Sequence, residues 1–160
     1  MVRRRRLLRR RSDGSIEVAF PDWLREEIGN LLGQLRQLMT TDAPADDRLE
    51  RLFPPAYPDD AESEAEYQGF MRVELVSSRL AAIDKVEATL YDEQVNDQQL
   101  TAWMAAINDV RLVLGTLLGV TEEMDHASLD DKDPNFGGFL LYDQLTFVLG
   151  EIIEVLATAL

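Results

Sequence analysis

Cysteine is absent from this 160-residue chain, and histidine occurs only once. Without thiols the chain forms no disulfide, holds no thiolate-bound metal and has no cysteine-based redox switch. The single histidine, His126, excludes multi-histidine metal centres, and we expect it to be a partly exposed loop residue. The sequence also has no P-loop, no G-x-G-x-x-G and no G-x-S-x-G motif. We therefore expect no enzymatic activity, no catalytic residue and no bound cofactor.

Positive charge is scarce and unevenly placed. The chain has 16 Lys and Arg against 30 Asp and Glu, which gives a formal net charge of -14. Seven of the 16 cations lie within residues 3–11, here called the arginine arm, and the rest of the chain has nine cations against all 30 carboxylates. The arginines of this arm are Arg3, Arg4, Arg5, Arg6, Arg9, Arg10 and Arg11.

The arginine arm has two interpretations. Guanidinium groups bind carboxylates and phosphates in bidentate fashion, so the arm is a candidate partner-binding site. It also fits a strand edge whose charges prevent sheet-to-sheet aggregation. Because the acidic body repels nucleic acid, we expect DNA contact only through the arm, and a protein as the main partner.

Long hydrophobic runs are also missing. Only residues 139–160 approach the length of a membrane span, and they include Asp143, Glu151 and Glu154. The residues after Arg11 are polar rather than apolar, unlike a secretion signal. We expect a cytoplasmic protein with no membrane contact.

The opening residues predict a β-hairpin. Asp13-Gly14 fits the two positive-φ positions of a type I′ turn. That turn would set Arg10 opposite Glu17 and Leu7 opposite Phe20. Leu7, Ile16, Val18 and Phe20 would then share one face of the hairpin.

Apolar residues at helical spacing predict four helices, at 21–40, 61–91, 97–118 and 139–160. A proline-rich linker at 41–60 separates the first two, and an acidic loop at 120–138 precedes the last. The predicted fold is mainly α: an N-terminal β-hairpin (1–20) followed by a four-helix, bundle-like body (21–160) in a single domain.

The last two helices pose packing questions. The final helix is apolar almost all round, so it is either central in the bundle or half of an interface. We favour the central position and expect a monomer or a weak homodimer. In the third helix we expect Arg111 to pair with Asp109 or with a carboxylate of another helix.

The acidic loop has several carboxylates suited to a hard cation. An EF-hand template starting at Asp131 matches Asp133 and Asn135, but Phe136 stands at the turn glycine and Tyr142 at the bidentate Glu. We therefore predict no metal site.

Two sequence blocks carry a family resemblance: residues 52–67, with Leu-Phe-Pro-Pro-Ala-Tyr-Pro-Asp-Asp and the acidic residues after it, and residues 103–120. Together they resemble the actinobacterial family of domains of unknown function that includes the oxidative stress transcriptional regulator AosR. We expect structural roles for the family-motif residues, which are Phe53, Tyr57, Asp59, Asp60, Trp103, Asn108, Asp109, Arg111, Gly115 and Gly119.

The resemblance implies a transcription-associated protein that acts with a sigma factor or RNA polymerase. The redox switch proposed for the family's regulator needs cysteines, which this chain lacks, so any redox role would belong to a partner. The alternative function is a non-enzymatic adaptor or scaffold that assembles through its C-terminal helix.

Overall fold

The computed structural model describes residues 5–40, 47–49, 51–120 and 130–159. Its three strands, β1 (Leu8–Arg10), β2 (Ile16–Val18) and β3 (Gln94–Val95), form an antiparallel sheet in that order. Its four helices are α1 (Asp22–Thr40), α2 (Ala61–Thr89), α3 (Asp97–Leu118) and α4 (Phe136–Ala157), and a 3₁₀ turn spans Asp47–Leu49. The mainly helical fold with an N-terminal hairpin is confirmed, and a third strand extends that hairpin.

Local capping sets the helix ends. Asp60 accepts a hydrogen bond from the backbone N of Ser63 (3.1 Å) and so caps α2. Asn96 and Gln99 form a reciprocal capping box at the start of α3, and Gly119 ends that helix with a left-handed φ of 67°. α4 begins at Phe136, three residues earlier than predicted. Residues 121–129 of the acidic loop, with His126, lie outside the described residues.

The predicted hairpin register is wrong by one residue. Leu8 lies opposite Val18, Arg9 opposite Glu17 and Arg10 opposite Ile16. The reason is the turn: of the two central residues only Gly14 has a positive φ (89°), and the backbone N of Arg11 donates to Ser15 O across a three-residue loop. A one-residue slip moves each side chain to the other face, so Leu8 is buried while Leu7 is only half-buried.

A buried arginine near the start of α1 joins the end of the hairpin to the segment that follows α2. Arg25 is 5% exposed, and its guanidinium donates to four backbone carbonyls, those of Val18, Phe20, Leu90 and Asp92. Backbone carbonyls satisfy its N–H groups where water is excluded. The sequence contains no signal that joins these groups, because the acceptors are main-chain atoms and two of them, Leu90 O and Asp92 O, lie 65 and 67 residues away along the chain.

The core is organised around α3 rather than α4. α3 packs against α1, α2, α4 and the 3₁₀ turn, and its Trp103 is fully buried, with Nε1 donating to Thr89 Oγ1 (2.7 Å). α4 packs on α3 and β1, which leaves Leu140 and Ile153 more than half exposed and Phe147 39% exposed. The expectation that the last helix is central is therefore wrong, because several of its large apolar side chains stay partly or largely exposed.

Candidate functional site: the arginine arm

The arginine arm is anchored to the body from Leu7 onward. The backbone N of Leu7 donates to Glu151 Oε2 on α4 (2.9 Å), and the backbone N of Ala19 donates to Leu7 O (2.8 Å). The Leu8 side chain is 2% exposed in the core. Arg3 and Arg4 lie outside the described residues. From Leu7 the arm is thus part of the folded structure, which gives its arginines defined positions.

Four arginines of the arm are exposed. Arg5 and Arg6 precede β1. Arg9 Nη2 and Arg11 Nε each lie 3.2 Å from Glu17 Oε2. These bonds, that from Arg11 first and that from Arg9 second, lower the pKa of Glu17. Because two guanidinium groups share one carboxylate, this end of the sheet keeps an excess of positive charge.

Arg10 has a different role from its neighbours. The register places it on the inner face, and its side chain is only 19% exposed. Its guanidinium donates to Asp97 Oδ1 (2.8 Å), to Gly14 O, and to Val155 O and Thr158 Oγ1 at the end of α4. A cation at a helix C-terminus is stabilised by the helix dipole. Arg10 thus joins the hairpin, the start of α3 and the end of α4.

Two family-motif residues meet at an arginine between α2 and α3. Arg79 donates to Asp109 and to Leu52 O, and its guanidinium lies 5.6 Å from the centre of the Phe53 ring. Arg72 lies over the same ring at 4.9 Å. Asp109 is 4% exposed, and burial raises its pKa although the bond from Arg79 partly opposes the rise. The sequence did not single out Arg79, the residue that links the two motif blocks.

A second group of motif residues joins α3 to α4. Arg111 donates to Asn108 Oδ1 (3.1 Å) and to the hydroxyl of Tyr142 (3.3 Å). The predicted pairing of Arg111 with Asp109 or with a carboxylate of another helix is wrong: residues two apart do not face each other on a helix, and the partners of Arg111 among the described residues are an amide oxygen and a hydroxyl. A Cβ atom on Gly115 would lie 2.9 Å from a terminal nitrogen of Arg51 and 3.0 Å from the Tyr142 ring, so a larger residue here would have to displace the Arg51 side chain and shift the ring slightly.

The remaining motif residues shape the start of α2. Glu64 accepts a hydrogen bond from the backbone N of Tyr57 (2.7 Å), and the Tyr57 ring packs edge-on against Tyr67 at 6.2 Å. Asp60 is the N-cap, whereas Asp59 is exposed. These motif residues make their contacts within the fold, and the arm remains the candidate contact site.

Two carboxylates in the described part of the acidic loop bind backbone N–H groups. Asp130 and Asp133 use their side chains to accept from the backbone N of Lys132 (3.0 Å) and of Asn135 (2.8 Å). In the part of the chain that the structure describes, no group of three His, Asp or Glu side chains is arranged to hold a metal ion. Within the same described ranges, no helix combines the length and apolar character needed to cross a membrane.

Comparison with known protein families gives a match for this chain. The model of the DUF2017 family, described as a domain of unknown function, matches residues 4–156. The matched segment includes both motif blocks and nearly all of the arginine arm. No curated protein and no solved structure matches the chain.

Proposed function

The chain belongs to the DUF2017 family, and we propose that it is a transcription-associated regulatory protein that contacts a sigma factor or an RNA polymerase subunit. The observation that carries the proposal is the anchored arm. Arg5, Arg6, Arg9 and Arg11 are exposed on a segment that Leu8 and Arg10 fix to the body. Guanidinium groups with defined positions present a better site for carboxylates than a free tail, because less conformational entropy is lost on binding.

The charge distribution favours a protein over DNA as the partner. The body outside the arm has nine cations against 30 carboxylates, so a nucleic acid approaching the arm is repelled by most of the surface. An acidic patch on a protein needs to cover only the arm. The two motif blocks support the assignment to transcription, because they resemble the family members grouped with AosR. On the same grounds we place the protein in the cytoplasm.

The test is affinity capture from native lysate, with the full chain as bait and mass spectrometry for polymerase subunits and sigma factors. A variant with Arg5, Arg6, Arg9 and Arg11 each changed to Gln removes the exposed charge and keeps Arg10, which the fold uses. We expect this variant to lose the captured subunit. The loss should be largest at low salt, where charge steers association most strongly.

The control variant changes the exposed Lys85 and Lys132 to Gln, which also removes positive charge but leaves the arm intact. It should capture the same subunit as the parent. Absence of any polymerase subunit or sigma factor from the parent capture contradicts the proposed function. Equal capture by the parent and the quadruple variant contradicts the role of the arm.

A second candidate function, an adaptor that assembles through its C-terminal helix, is favoured by the apolar side chains that α4 leaves exposed. Leu140 and Ile153 are 54% and 56% exposed, and Phe147 is 39% exposed. Sedimentation velocity over a concentration series tests this function. A dimeric parent that becomes monomeric when Leu140 and Ile153 are changed to Ser would support it, and a monomeric parent would exclude it.

A further inference from the structure

We propose that the outer face of α2 is a docking surface for a basic amphipathic helix. The residues of α2 that are buried, Ile83, Val86 and Thr89, all lie near its C-terminal end. Residues 61–82 are half-buried or exposed. Phe70 is 75% exposed and Val73 is 74% exposed, the two most exposed large apolar side chains of the described residues. An aromatic ring and a valine exposed on neighbouring turns form a contiguous apolar patch, the kind of surface feature that serves as an interaction site.

The apolar residues form a continuous stripe along the helix. Phe70, Val73, Val76 and Leu80 follow one another at steps of three or four residues, the spacing of one helical face, and the half-buried Val76 and Leu80 also pack against the core. The stripe lies in a shallow, open depression lined by residues of α2 alone, among them Val73, Val76, Leu80 and Ala81. An exposed apolar stripe on a helix is a surface on which the apolar residues of a partner helix can pack.

Charge at the edges of the stripe determines which helix fits. Glu66 and Asp84 mark its two ends and Glu74 lies on its outer flank, all three exposed. Arg36 of α1 contacts both Asp84 (2.6 Å) and Glu87 (2.9 Å), and Lys85 is exposed beside them, so the C-terminal end of the stripe has charges of both signs. Towards its N-terminal end Glu62, Glu66 and Glu74 are exposed, and Arg72 lies over the Phe53 ring, so this part of the surface is net negative. A partner helix with Lys or Arg on both sides of its apolar face complements this pattern, whereas an acidic helix is repelled.

The length of the surface between residues 66 and 84 sets the length of the partner helix. From residue 66 to residue 84 a helix rises by about 27 Å, at about 1.5 Å per residue. A partner helix of about 18 residues therefore reaches both ends while covering the apolar stripe. The surface is separate from the arginine arm, so this proposal does not depend on the proposed function.

The experiment uses the full chain and a synthetic peptide of about 18 residues, with Leu at helical spacing and Lys elsewhere. Calorimetric titration measures its affinity. A peptide of the same composition in shuffled order controls for charge alone, and a Leu/Glu peptide controls for the sign of the charge. We expect the amphipathic Lys peptide to bind more tightly than the shuffled one and the Glu peptide not to bind. Equal binding of the ordered and shuffled Lys peptides, or tighter binding of the Glu peptide, would overturn the proposal.

Paired variants locate the site. Phe70→Ser with Val73→Ser should weaken binding by roughly tenfold or more, because buried anchors dominate such interfaces. Leu140→Ser with Ile153→Ser removes similarly exposed apolar groups from α4 and should change the affinity by less than about twofold. Circular dichroism should show parent-like helix content in both. If the two pairs weaken binding equally, the assignment to α2 is wrong. If the α2 pair instead dissolves a dimer of the parent in sedimentation velocity, the occupant is a second copy of the chain, which also overturns the proposal.

Discussion

Removing Arg79 should destabilise the protein strongly, because it leaves the Asp109 carboxylate charged and without a partner. The Asp109 side chain is 6% exposed and Arg79 is the basic residue that contacts it. Breaking a buried ion pair from one side costs about 3–5 kcal/mol. Arg79→Met keeps much of the side-chain volume but also loses the hydrogen bond to Leu52 O, which adds about 1 kcal/mol. A domain of this kind has a total stability of about 5–15 kcal/mol, so the loss is large but measurable.

The double variant separates the charge from the packing. When Asp109→Leu is added to Arg79→Met, no charge remains buried, and most of the lost stability should return. The matched control is Arg36→Met, which breaks an ion pair to Asp84 and Glu87 in which the carboxylates are 64% and 42% exposed. Exposed pairs contribute about 0–1 kcal/mol, so this variant should resemble the parent.

Urea unfolding followed by circular dichroism gives the free energies of unfolding. The parent, the single variants Arg79→Met and Asp109→Leu, and the double variant form a cycle that gives the coupling energy of the pair. A constant m-value for all of them would show that the variants unfold to the same extent. The reasoning fails if Arg79→Met costs no more than Arg36→Met. It also fails if the double variant is as unstable as Arg79→Met alone.

Three further predictions concern other parts of the fold. Leu149→Asp should unfold the protein while Ile153→Asp leaves the helix content intact by circular dichroism, because the two side chains are 6% and 56% exposed. Arg10→Gln should lower the free energy of unfolding by about 1–3 kcal/mol, since it breaks charge-assisted bonds to α3 and α4, whereas Arg9→Gln should change it by less than about 0.5 kcal/mol. Because burial raises the pKa of Asp109 above its usual 3.8, the folded state holds this proton more tightly than the unfolded chain; the parent should therefore gain stability relative to Asp109→Asn as the pH falls through the raised pKa, measured by urea unfolding at several pH values.

The helices were predictable because their signals are local. The capping box at Asn96 and Gln99 and the terminal Gly119 lie within a few residues of the ends that they define. The start of α2 at Asp60 follows from the same logic. The residues that make these contacts are close together in the sequence, which is why a sequence pattern is enough to place the helix ends.

The hairpin register shows where a local signal is ambiguous. Asp13-Gly14 fits a type I′ turn, but that turn needs a positive φ at Asp13, which costs energy for a residue with a Cβ atom. In the structure Asp13 avoids it, and its carboxylate accepts from the backbone N (2.9 Å) and the hydroxyl (2.6 Å) of Ser15. These bonds, that of the hydroxyl first, also lower the pKa of Asp13. The choice between two turns one residue apart decided that Arg10 points inward.

The position of α4 depended on contacts that composition does not reveal. Both of the last two helices are rich in apolar residues, and α4 is the richer, which favoured it as the central element. The structure instead surrounds α3, whose Asp109 and Trp103 find polar partners on α2 at Arg79 and Thr89. A polar residue in a central helix is tolerated when its partner lies on a neighbour, and that pairing appears only in three dimensions.

Several arginines outside the arm bind groups inside the body, and this affects the surface charge that a partner meets. Arg25 donates only to backbone carbonyls, and Arg79 is joined to a buried carboxylate. The acidic side chains of α2, in contrast, are largely exposed. The molecule thus has one positive region at the arm and a negative surface along α2, and salt weakens association at both. Ionic strength therefore does not distinguish an acidic partner at the arm from a basic helix on α2, whereas neutralising the arginines of the arm or Glu66 and Glu74 of α2 separately does, because each change affects one surface and leaves the other intact.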